Sequence, residues 1–94
     1  MITRSFHLDH AGHSITVDVR GAHTVDVDLL VDGKEVGVRR EHGAGTVLLS
    51  SELPADPVLP FAVRVDHGRR GARHAECVLV VDGRELPMPE RAPR

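Results

Sequence analysis

Seven histidines in 94 residues are the first side chains here that could do chemistry, and three crowd one segment, His7-Leu8-Asp9-His10-Ala11-Gly12-His13. Zinc needs three or four donors, with histidine nitrogens at about 2.0–2.1 Å. If residues 3–10 and 13–20 are strands joined by a two-residue turn at Ala11-Gly12, His10 faces His13 and His7 points to the opposite face. His10 and His13 are therefore the candidate metal ligands. A third would have to come from Asp9, His42 or His74, so the expectation is adventitious capture at most, and no cofactor.

Other reactive types are sparse. Cys77 falls on an alternating strand, facing the core opposite Val63, with His74 on the other face. A buried free thiol behaves as a small hydrophobe, whereas a nucleophile needs an exposed, electropositive setting. No catalytic residue is expected. Asp18, Asp26 and Asp28 share a polar face, with Asp18 opposite Asp26 and Arg39 beside Asp26 as the compensating cation. Calcium wants six to eight oxygens from a loop folded around it, so these carboxylates read as a solvated face.

Arg69, Arg70 and Arg73 cluster on one loop between His67 and His74, a candidate anion or partner contact. A nucleic-acid footprint should extend beyond one loop and include aromatics to stack on bases. The only aromatics among Phe, Tyr and Trp are Phe6 and Phe61, so no nucleic-acid partner is expected. Gly43-Ala44-Gly45 lacks the Lys-Ser/Thr of a phosphate loop and reads as a turn.

Composition sets the frame for these groups. A chain of this length supports one domain, burying about 60–70% of the surface its unfolded form exposes. Valine dominates the apolar set, and β-branched residues fit a pleated, half-buried surface. Eleven Arg against the single Lys34, with heavy Ala, Gly, Val and Asp use, match the coding bias of a GC-rich bacterium such as an actinobacterium. The net charge of −2 points to no polyanion and no membrane surface. One cysteine, an N-terminus without an apolar run, and no stretch near the ~20 residues of a membrane helix make cytoplasmic the expected location.

Alternation of apolar and polar residues runs almost throughout. Phe6 and Leu8, then Ile15, Val17 and Val19, then Val25, Val27, Leu29 and Val31, then Val36 and Val38 each line one face of a strand. A three-residue loop at Gly21-Ala22-His23 would oppose Val19 to Val25. The Asp32-Gly33 turn would oppose Leu29 to Val36 and Val27 to Val38. Residues 1–41 thus read as a four-stranded meander. After a break at 42–45, strands near 46–50, 60–66, 74–81 and 84–88 repeat the plan over 46–89. Here Phe61 is set opposite Leu79, Val63 opposite Cys77 and Arg64 opposite Glu76.

The predicted fold is all-β: a single domain over 1–89, an eight-stranded antiparallel β-sandwich or flattened barrel built from two four-stranded meanders. Pro87, Pro89 and Pro93 block further pairing, so 90–94 is expected to be a disordered Pro-rich tail.

The phrases Val31-Asp32-Gly33-Lys34-Glu35-Val36 and Val81-Asp82-Gly83-Arg84-Glu85-Leu86, with their flanking valines, resemble the β-sandwich repeat of the Fas apoptotic inhibitory molecule over roughly residues 13–88. That family's aromatic-rich central segment has no counterpart; Arg39-Arg40-Glu41-His42-Gly43 stands there instead. The resemblance implies a compact antiparallel sandwich acting through protein contacts without catalysis. Val78 and Val80, apolar on the face opposite Leu79, mark a surface for such a contact. The expected role is a non-catalytic interaction or structural module, pairing as a homodimer or with a protein partner through an edge strand. The alternative is a metal or small-ligand binder using the surface histidines.

Overall fold

The structure, a computed structural model, describes residues 3–43, 45–68 and 71–91. Alternation becomes strand wherever it was read, in nine segments: β1 (Thr3–His10), β2 (His13–Arg20), β3 (Thr24–Val31), β4 (Lys34–His42), β5 (Gly45–Leu53), β6 (Leu59–Gly68), β7 (Gly71–Val81), β8 (Arg84–Pro87) and β9 (Glu90–Arg91). They form two antiparallel sheets, ordered β4-β3-β2-β1-β9 and β5-β6-β7-β8. The first meander with β9 makes one sheet and the second meander the other, and the sheets pack face to face through β1, β2 and β3 against β5 and β7. The core is one aliphatic cluster, with Ile15, Val17, Val19, Val25, Val27 and Leu29 of the first sheet fully enclosed. Val63, Val65 and Leu79 meet them from the second. No described helix is long and apolar enough to cross a membrane.

Three two-residue turns, Ala11-Gly12, Asp32-Gly33 and Asp82-Gly83, hold both central residues at positive φ. That geometry matches the right-handed twist of the strands they join. Across the first turn, Phe6 opposes Val17 and Leu8 opposes Ile15, as expected.

Elsewhere the registers differ from expectation. Val19 opposes Val27, not Val25, and Val63 opposes Leu79, not Cys77. Both are slips of two residues, which leave every side chain on its expected face because the strand period is two. The first slip has a tertiary cause. The 21–23 loop spends its carbonyls on neighbours: Ala72 N donates to Gly21 O at 3.0 Å and Gly43 N to His23 O at 3.0 Å. The second slip carries the strands closer to their loop, to a Gly68–Gly71 pair. It sets Arg64 opposite Val78, and leaves Glu76 opposite Asp66. Arg64 finds its partner instead in Glu85 of β8.

On β4 the correction changes faces. A bulge between Leu29 and Leu30 makes Val36 the extra residue, so Leu29 opposes Gly37 and Val27 opposes Arg39. Val36 and Val38, expected in the core, are 42% and 57% exposed. Gly37 takes the inner position, where a Cβ would come into ordinary packing contact with Leu49 of the second sheet, 3.6 Å from its Cδ2.

The count of eight strands also falls short by one, since Glu90 and Arg91 are not a disordered tail. They pair with Phe6 and Ser5 on β1. Proline removes an N–H donor but leaves a carbonyl acceptor. Pro89 O accepts from His7 N at 2.9 Å, just after Met88 N donates to Cys77 O at 3.0 Å. The chain thereby steps from the second sheet to the first. Arg4 fastens the crossing: its Nη2 and Nε donate to Glu90 at 2.7 and 3.1 Å, and its Nη1 to Arg73 O at 2.8 Å. Residues 92–94 lie outside the described residues.

Candidate functional site

The histidine pair is the first group to test. His10 and His13 do oppose each other across the turn. His13, however, is already engaged at both nitrogens, with Nδ1 2.7 Å from Asp32 Oδ2 and Nε2 2.9 Å from Pro54 O. Both partners accept, so the ring that satisfies them carries a proton on each nitrogen and has no lone pair for a metal. The Asp32 carboxylate and then the Pro54 carbonyl push the His13 pKa above its ordinary value. Among the described residues no three His, Cys, Asp or Glu side chains gather to hold an ion. In this structure His13 acts as a clasp, tying the first sheet's turns to the β5–β6 connection.

His7 makes the nearest approach to a catalytic array. Its Nε2 lies 3.0 Å from Asp9 Oδ1, and its Nδ1 lies 3.1 Å from Thr16 Oγ1 and 3.5 Å from Ser14 Oγ. A hydroxyl, an imidazole and a carboxylate compose a nucleophile relay, but a relay also needs backbone donors aimed at a developing oxyanion. These side chains stand on the outer face of a sheet whose backbone is committed to ladders on both sides of β2. Cys77 is buried opposite Val65, and burial pushes its thiol up to about 12. At neutral pH it is a packed thiol, not a thiolate.

The carboxylates are each answered. Asp18 opposes Asp28, not Asp26. Ser5 Oγ donates to Asp18 at 2.6 Å, Arg20 Nη2 to Asp28 at 2.7 Å, and Arg40, not Arg39, to Asp26 at 2.7 Å. Of the arginine cluster, Arg69 and Arg70 lie outside the described residues. Arg73 is exposed, and its carbonyl is the acceptor for Arg4. One group escaped the sequence reading. His67 is buried, and among the described residues neither ring nitrogen has a hydrogen-bond partner. Its signal was available, since it extends the inward series Phe61, Val63, Val65 by one step.

What the geometry does assemble is an edge. Unpaired sheet edges invite another strand, and proteins blunt them with charge, proline, bulges or brevity. Three of the four edges here are blunted. β4 carries the bulge and the charges Lys34, Glu35, Arg39, Arg40 and Glu41. β8 has four residues and ends on Pro87, and β9 has two. β5 has none of these devices. Its nine residues pair with β6 without a break from Gly45–His67 to Leu53–Leu59, and its one charge is Glu52.

Beside β5, the outer face of the second sheet carries apolar side chains interrupted by Arg64 and its partner Glu85. Leu48 is 54% exposed and opposes Arg64, which opposes Val78; Ser50 opposes Ala62, which opposes half-buried Val80. A shallow depression lies between Ser50, Glu52, Pro60 and Val80. Val78 and Val80 thus sit where the sequence placed them, and they continue a surface whose rim is β5. The chain matches no protein-family model, no curated protein and no solved structure. Its own geometry is what bears on its role.

Proposed function

We propose that this chain is a non-catalytic interaction module that receives an added β-strand along β5. The observation that carries the reading is the contrast among its edges: β4, β8 and β9 are each obstructed, and β5 is open, regular and nearly uncharged. An added strand would gain main-chain hydrogen bonds from the edge and side-chain contact from Leu48 and the face running to Val80. The inert Cys77 thiol and the flat setting of His7 favour a role without chemistry. A cytoplasmic setting in a GC-rich bacterium fits the composition, with its one free, buried cysteine.

The test is a Leu48→Glu variant. Glutamate there would face Arg64 across the strand pair, so the fold is retained while the edge gains the charge that blunts such sites. Immobilised wild type should retain proteins from its native host that Leu48→Glu releases, and an Arg91→Glu variant at the β9 edge should retain them. Identical retention by all three would remove β5 from the function.

A further inference from the structure

Resting on that reading of β5, we infer that the strand it receives is β5 of a second copy, joined antiparallel about a two-fold axis through Leu48. Such an axis, normal to the sheet, keeps the inner faces of both copies on one side. Only residues of the same face can then oppose each other.

That restriction leaves few registers, and side chains choose among them. Setting Leu48 against its own copy opposes Thr46 to Ser50 and Val47 to Leu49. The two 54%-exposed leucines cover each other, and hydroxyls meet on either side. Glu52 falls beyond the paired run, so no like charges face. Centring on Ser50 would place Leu48 against Glu52. Centring on Leu49 or Val47 would leave each leucine against Ser50 or Thr46. Leu48 alone buries the exposed apolar side chain on itself.

The remaining edges determine how far assembly goes. A self-paired patch is consumed once two copies meet. Blunted edges at β4, β8 and β9 offer no second site from which a filament could grow. The contact is narrower than a standard stable interface, so the dimer should form reversibly with concentration.

Light scattering across a concentration series should show mass rising from one chain to two and no further. A Leu48→Cys variant, oxidised under those conditions, should cross-link into a disulfide dimer, because residues facing across a sheet meet the Cα spacing a disulfide requires. Cys77 is buried and should not compete. A Ser50→Cys variant should not cross-link alone but should do so when mixed with Thr46→Cys. Mass fixed at one chain, mass growing without limit, or Ser50→Cys linking to itself as readily as Leu48→Cys would each overturn the proposal. If the chain is a monomer yet Leu48→Glu still releases retained host proteins, the second copy is wrong and the docking edge stands. If neither measurement responds to Leu48, both fall.

Discussion

At the scale of single residues, the His13 clasp carries the clearest consequence. Its pKa is raised by Asp32 and Pro54, so the stability it adds is fully present below the ordinary histidine value of 6.5. That stability is lost as pH rises through the raised value in the folded chain. Asp32 is lowered, first by the Ser14 amide and then by His13, so its contribution is present above 3.8 and lost as pH falls through the depressed value. Thermal midpoints should therefore fall as pH rises from 6.5 through the raised His13 value in the wild type. His13→Gln should flatten that slope, and an unchanged slope would refute the clasp. At about pH 6, below the His13 pKa, zinc should leave the midpoint unmoved, since the protonated ring has no free lone pair. Ala11 offers a second handle. It is an exposed alanine held at φ 52° in the first turn, where asparagine is favoured. Ala11→Asn should stabilise the chain by about 0.5–1 kcal/mol in urea unfolding.

Among the elements, which face each strand would bury was legible and which residue it would meet was not. Val17, Val19, Val27 and Val65 were correctly turned inward, because alternation specifies a face. A slip of two residues preserves that face, so alternation could not see the 21–23 loop lean on β7. That lean depends on Gly71, at φ 61°, where an added Cβ would lie 2.3 Å from Ala22 O. Gly71→Ala should cost more than about 2 kcal/mol, since backbone must move. Gly83→Ala, at φ 71° with nothing within 4 Å, should cost about 1 kcal/mol. Urea midpoints compare the two, and equal losses would mean the loop does not lean there. The β4 bulge was equally hidden, because alternation across Val36 and Val38 carries no mark of an extra residue in the strand. Of the candidate site, the composition of Thr46-Val47-Leu48-Leu49-Ser50 stood in the sequence from the start. Its position at a sheet edge did not, because strand order is decided by packing between the halves.

For the whole molecule, the sandwich has one sewn side and one open side. The 88–91 crossing, the Arg4–Glu90 pair and the short β8 and β9 strands close the first. On the second, β4 and β5 end their sheets together, one charged and bulged, the other plain. The proposed docking strand, β5, lies on that open side. Amide hydrogen exchange, recorded strand by strand in dilute and in concentrated solution, tests this most directly. The account predicts that protection rises with concentration along β5, around Leu48, while β4, β8 and β9 exchange unchanged. Exchange along β5 that ignores concentration, or protection that rises equally along β4, would contradict it.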